Sequence, residues 1–362
     1  MADWSGLPLD ILLSIAKRLS FEDLVAFGAV CTSWRPAATK ENFDYSRQQI
    51  PWLMLFSSDV KPLAKFHSLS SEKTFDQLPH PREVYNQKLI YSSSGWIMSI
   101  DDSPREGAMS LFHPLSQAQI RLPRQSFVYV NRFALSASPS ETNSDYIVIV
   151  IFHQWLKVAG HLALWKPGNS SWTLMTDESI LVSDVAYHKG RFYAVDTRSR
   201  VLVLNIDQDD FNTVVVKEVM FLIKPVCETC LVESKESLLI VRDLTGHVRV
   251  SARCRETIGF EVYEVNIGDG TFVKVKNLGD RALFLGYQSS SFCVKASDFE
   301  GCRANCIYFI DGVTRKCNIY TSTNADDGNF ESKYEGISQF QCFGDECRNI
   351  YPPTLLWLQP TF

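Results

Sequence analysis

The sequence predicts an α+β protein that is mainly β, with a small three-helix head followed by a β-propeller body. Three observations predict it. Apolar residues recur at three-to-four spacing from Leu7 to about Ala38, the period of amphipathic helices. From about Ile50 onward, short apolar runs come in pairs separated by turn residues, as strands and hairpins do. The lead runs of these pairs return roughly every 40–55 residues, within the range of propeller blades. The expected division is a head over residues 1–40, a linker over 41–50 and a body over 51–362.

The head reads element by element. Pro8 suits the first helical position, where its missing N–H costs nothing. Asp10 falls in the first turn and Lys17 and Arg18 in the last, each sign matching the helix dipole. Ile11, Leu12, Ile15, Ala16 and Leu19 form one apolar face. Ser20-Phe21-Glu22-Asp23 has the capping-box pattern that starts a second helix, whose stripe continues through Leu24, Phe27, Val30 and Cys31. Thr32 or Ser33 caps a short third helix carrying Trp34, with Pro36 tolerated in its first turn. Three helices this short cannot bury all these side chains against one another. The surplus faces either the rest of the chain or a partner.

Two other uses of LPLDILLSIAKRL are excluded. An export signal needs a basic flank, whereas MADWSG carries Asp3 and no Lys or Arg. A membrane span needs roughly 20 apolar residues, and this run ends at Lys17. The chain therefore reads as soluble, in the cytoplasm or nucleus. In such a reducing compartment its 10 cysteines read as thiols, and the sequon Asn169-Ser170-Ser171 goes unused. The net charge of −5 speaks against a general nucleic-acid binder.

In the body, GWIMSI pairs with MSLFHP, YIVIVIFHQW with HLALWKPG, and DVAYHKGRFYAVD with VLVLNI. CLVESKESLLIV with GFEVYEVNI and RALFLGYQSSSFCVKAS with CIYFIDG complete the series. His188-Lys189-Gly190 and Gly268-Asp269-Gly270 supply turns. About 310 residues at this period give around six blades, with seven the next count. PWLML near the start and TLLWLQP at the end would complete one blade from both termini, leaving no bare edge. A two-sheet sandwich with extra strands is the alternative that periodicity leaves open.

The segment Leu7-Pro8, Ile11-Leu12, Ile15, Leu19, Leu24, Val30-Cys31 and Trp34-Arg35 closely resembles an F-box. Ser20 stands where many F-boxes have Pro. The body resembles the KIB-type propeller, a domain of unknown function that follows the F-box in a large plant family. Gly95-Trp96, LFHPLSQAQIRLP, DVAYHKGRFYAVD, LVESKESLLIVRD, NCIYFIDG and the closing LWLQP carry that likeness. The resemblance implies docking onto a Skp-type adaptor and, through it, a cullin-based ubiquitin ligase. Carried over by position, Leu7, Pro8, Ile11, Leu12, Ile15, Leu24, Val30 and Trp34 contribute to that interface, some of them serving the head's own core instead.

Little in the sequence advertises catalysis, a metal or a cofactor. Cys227-Glu228-Thr229-Cys230 has no second C-x-x-C to complete a zinc site, and thiols three apart on a strand point to opposite faces. Cys302/Cys306 and Cys342/Cys347 are wider and unmatched. His188 reads as a turn residue, and Asp209-Asp210 and Asp326-Asp327 as solvated loops. Arg249, Arg253 and Arg255 share parity. They form either a solvated edge or a rim for an acidic or phosphorylated partner. The expected function is a substrate receptor of an SCF-type ligase, non-catalytic, holding a protein target on the propeller. Its rivals are a propeller enzyme with an accessory head and an F-box scaffold outside a ligase.

Overall fold

The computed structural model describes residues 4–19, 21–39, 42, 51–57, 63–69, 74–76, 89–100, 108–114, 118–124, 129–139, 145–153, 160–174, 180–197, 200–206, 211–217, 229–245, 257–268, 270–286, 289–299, 301–310, 317–322, 329–332 and 354–359. Two α-helices form the head: α1 (Leu9–Ala16) and α2 (Phe21–Val30). Pro8 is the cap of α1 rather than its first residue, with extended backbone at φ −59° and ψ 145°. After Cys31, where a third helix was expected, the described residues hold a short 3-10 turn, Arg35–Ala37. Pro36 lies in its first positions, where the absent N–H breaks no bond, but the turn does not extend. Ser20 lies outside the described residues.

The body is a succession of strands: β1 (Trp52–Ser57), β2 (Leu63–Ser68), β3 (Thr74–Asp76), β4 (Leu89–Ser93), β5 (Trp96–Ile100), β6 (Met109–Phe112) and β7 (Gln119–Leu122). Then come β8 (Tyr129–Leu135), β9 (Val148–His153), β10 (His161–Trp165), β11 (Thr173–Leu174), β12 (Val182–His188), β13 (Arg191–Asp196), β14 (Val201–Ile206) and β15 (Phe211–Lys217). The remainder are β16 (Thr229–Glu233), β17 (Leu238–Thr245), β18 (Thr257–Asn266), β19 (Thr271–Lys274), β20 (Arg281–Gly286), β21 (Ser289–Lys295), β22 (Cys306–Ile310), β23 (Cys317–Ser322), β24 (Asn329–Ser332) and β25 (Thr354–Leu358).

Three groups are separate four-stranded sheets, ordered β25-β1-β2-β3, β11-β10-β9-β8 and β12-β13-β14-β15. The remaining strands join through edge pairings into one larger sheet containing the runs β4 to β7, β16 to β19 and β20 to β24. Terminal closure is realised: β1 pairs antiparallel with β25, from Trp52 opposite Leu358 to Phe56 opposite Thr354. The last run departs from a simple up-and-down order, because β22 pairs parallel with β20 and β21 takes the inner edge.

Side-chain alternation fills the gaps between groups. On β9, Val148, Val150 and Phe152 pack towards β4 to β7, while Ile149 and Ile151 pack towards β12 to β14. With both faces covered, a strand reads as the unbroken apolar run seen in VIVIF. Further clusters fill the spaces from β12–β14 to β16–β18, on to β20–β24, and on to β25 and β1. The last cluster lies between β25–β1–β2 and β4–β6, and it also contains Leu12, Ala16, Leu24, Phe27 and Ala37 of the head. Turns obey local sterics: Ser94-Gly95 and Lys189-Gly190 both have positive φ at both positions, which is what a two-residue type I′ hairpin loop requires.

Candidate functional site

Burial divides the docking set predicted for the head. Leu12 is 1% exposed and Leu24 3%, so both are interior residues. Leu7, Ile15 and Trp34 are half-buried and pack against the same cluster. Pro8 is exposed, Ile11 is 45% exposed and Val30 58%. On α1, Leu12 and Ala16 form the buried row and Ile11 and Ile15 the flank beside it, each pair four residues apart. Leu9 and Trp4, at 52% and 65% exposure, extend the apolar surface beyond the predicted set. Leu9 was missed because it lies outside the repeating stripe.

The head is held tightly enough to present that surface. The Trp34 indole N–H donates to the Trp4 carbonyl at 3.0 Å, and its ring lies 4.5 Å from that of Phe27. A Cβ added to Gly28 would meet Ala38 Cβ at 2.7 Å, so glycine permits α2 to approach the turn this closely.

A second constellation sits where inner strands of the body converge, and no sequence signal pointed to it. Arg132 on β8 and Asp184 on β12 are both buried and pair at 3.4 Å. The guanidinium also donates to the Ser289 carbonyl on β21 at 3.2 Å and to Cys230 Sγ on β16 at 3.6 Å. The Asp184 carboxylate accepts the N–H of Leu231 at 2.9 Å and of Val185 at 2.8 Å. Burial pushes its carboxyl upward, while Arg132 and the two amides pull it back. The arrangement ties strands from four groups together, and Arg132 and Cys230 also line a small cavity with Val241, Asp243, Phe260, Leu285, Gly286 and Phe309.

Other predicted residues sort as follows. His188 is not a turn residue: it ends β12, opposite Arg191, and is 1% exposed. Lys189 and Gly190 make the turn alone, which leaves His188 on the face that packs against β16. Burial lowers its pKa, with Lys189 adding to the effect. Glu233 Oε1 lies 3.7 Å from its Nδ1, and partial burial pushes that carboxyl up. Burial also raises the thiols of Cys302, up to about 12, and of Cys293 and Cys317. Among the described residues no group of three His, Cys, Asp or Glu side chains is placed to hold a metal. No described helix is long and apolar enough to cross a membrane. Cys227, Cys342, Cys347, Asp209-Asp210, Asp326-Asp327 and the triplet Arg249, Arg253 and Arg255 lie outside the described residues.

Comparison with known proteins decides the family. The profile of the KIB1-4 beta-propeller matches residues 66–331, well over half of the chain. The chain belongs to that family. An F-box domain profile matches residues 4–46, which takes in both helices and the turn after them. Similar proteins include several from Arabidopsis thaliana. F-box protein SKIP23 is 25% identical over 403 residues, covering 98% of this chain and 95% of that protein. An F-box/kelch-repeat protein is 31% identical over 211 residues, 56% of each. A further F-box protein is 25% identical over 354 residues, covering 86% of this chain and 97% of the relative. The chain is therefore a plant-type F-box protein with a propeller body, mainly β, as its sequence led one to expect.

Proposed function

We propose that this protein is the substrate receptor of an SCF-type ubiquitin ligase, acting in the cytoplasm or nucleus. The head docks a Skp-type adaptor and the propeller holds a protein target close to the ubiquitin-carrying enzyme. The receptor supplies proximity and performs no covalent step itself. One observation carries the reading: beside a buried row formed by Leu12 and Ala16, the F-box head leaves Pro8, Leu9, Ile11 and Val30 exposed. Apolar side chains left at the surface are the usual anchors of an interface. Leu7, Ile15 and Trp34 support them from half-buried positions, and Leu12 and Leu24 act by keeping the helices together.

The body is read as six blades, each strand run from β4 onward forming one and β25 with β1 to β3 forming the sixth. The apolar clusters that alternate with these groups support that count. For the target, Arg249, Arg253 and Arg255 are proposed as a rim for an acidic or phosphorylated segment, on their sequence parity alone. Charge reversal at all three that leaves target capture intact removes that assignment.

The test of the receptor reading is co-purification with a Skp-type adaptor. Wild type is expected to bind, and Ile11→Asp with Val30→Asp to lose binding while keeping a cooperative unfolding transition. Failure of the folded wild type to bind any such adaptor overturns the reading.

A further inference from the structure

The terminal strand β25 turns different residues to its two faces. Leu356 and Leu358 are buried in the cluster that also contains Trp52, Met54 and the head's Leu12, Ala16, Leu24 and Phe27. Between them, Trp357 joins the cluster on the opposite side with Phe284 and Tyr308. Its indole N–H donates to the Leu285 carbonyl at 2.9 Å. Its backbone N–H donates to the Ser289 hydroxyl at 2.8 Å, and its carbonyl accepts from the Ser92 hydroxyl at 2.6 Å.

Those bonds lead inward. The carbonyl of the same Ser289 accepts from Arg132, which is paired with Asp184, which in turn receives the Leu231 N–H. Ser290 donates across to the Phe133 carbonyl at 2.9 Å, alongside Arg132. One short strand thus touches the apolar cluster shared with the head on one side and the start of the axial polar path on the other. Groups of this kind open together when they share one cooperative unit.

We propose that β25 is a clasp coupling the docking head to the propeller axis. Its seating holds the interior of the head and the inner strands β4, β8 and β21 in one cooperative unit. The adaptor face is then carried at a fixed position relative to the ring. That consequence rests on the receptor reading, whereas the coupling itself belongs to the free chain.

Native-state hydrogen exchange on the full chain tests it without any adaptor. Ser289→Ala removes the acceptor for the Trp357 N–H and is expected to speed exchange in β25 by about tenfold. The same variant is expected to speed exchange in α1 and α2. A comparison variant, Leu162→Ala in a fully buried site on β10, is expected to loosen β9 and β10 and leave α1 and α2 at wild-type rates. Unchanged exchange in α1 and α2 of Ser289→Ala overturns the clasp. So does equal acceleration there in Leu162→Ala, which would mean global loosening. If Ser289→Ala does not fold, Trp357→Phe, which removes the indole bond and part of the buried ring but keeps both backbone bonds of β25 to Ser289 and Ser92, bears the same comparison. Because wild-type adaptor binding is measured separately, failure of the clasp and failure of the receptor reading are distinguishable.

Discussion

The head and the body bury apolar surface in opposite ways. In the body, a strand such as β9 is covered on both faces, and only Leu174 and Val273 stand out as large exposed hydrophobics among its described residues. In the head, two short helices leave Trp4, Leu9, Ile11 and Val30 at the surface. The body is a finished interior with a closed ring, and the head is a half-finished one. The body thus directs its apolar side chains at itself, and the head directs part of its own outward.

Breaking the body's interior is expected to have the largest effect on stability. Phe284 is fully buried, stacked 4.6 Å from Tyr308 and 5.3 Å from Phe292, with Trp357 edge-on at 5.0 Å. Phe284→Ala should cost about 3–5 kcal/mol, measured by urea denaturation. A loss under about 1 kcal/mol would mean that this part of the ring is loosely packed.

Arg132→Met tests the buried Arg132–Asp184 pair and should also destabilise strongly, by about 3 kcal/mol at neutral pH, because a buried carboxylate loses its cation. Its pH dependence carries a sign. Burial already pushes Asp184 above its ordinary value of 3.8, with Arg132 opposing. Without Arg132, the folded state binds that proton more tightly still than the unfolded chain does. Relative to wild type, the variant should therefore recover stability as pH falls from neutral towards the unfolded value. A deficit that stays constant across that window would show that the carboxylate is not what the arginine compensates.

A smaller effect is expected at His188. Burial holds its pKa below 6.5, so on acidification the unfolded chain takes up the proton first. Stability attributable to this residue is present above 6.5 and is lost as pH falls below it, by less than about 1.4 kcal/mol per pH unit. His188→Phe should flatten that slope in melts recorded from pH 7 to 5, and an unchanged slope would reassign it to other groups.

These contrasts also mark what the sequence could reveal. Strand pairs were legible because both-face burial and turn residues leave local signatures, as in YIVIVIF and Lys189-Gly190. Closure by β25 was legible because two unpaired apolar runs stood at the ends. The parallel placement of β22 beside β20 was hidden, since alternation does not record strand order. Arg132 was hidden too: one charge inside YVNRFAL looks like a solvated edge until Asp184, 52 residues away, comes beside it. His188 was misread because the turn needed only two residues. In the head, Ile11 and Leu12 share one apolar stripe, and only packing against Leu24 and Phe27 separates interior from surface.

Paired measurements on Ile11→Asp and Leu12→Ala probe that separation of surface from interior on α1. Calorimetric titration with a Skp-type adaptor and a denaturation curve would be recorded for each variant. Ile11→Asp is expected to lose adaptor affinity while its stability stays within about 0.5 kcal/mol of wild type. Leu12→Ala should lose about 2–5 kcal/mol of stability in the head, yet bind the adaptor where it remains folded. Undiminished binding by Ile11→Asp, or a large loss of its stability, would contradict the division between docking surface and core.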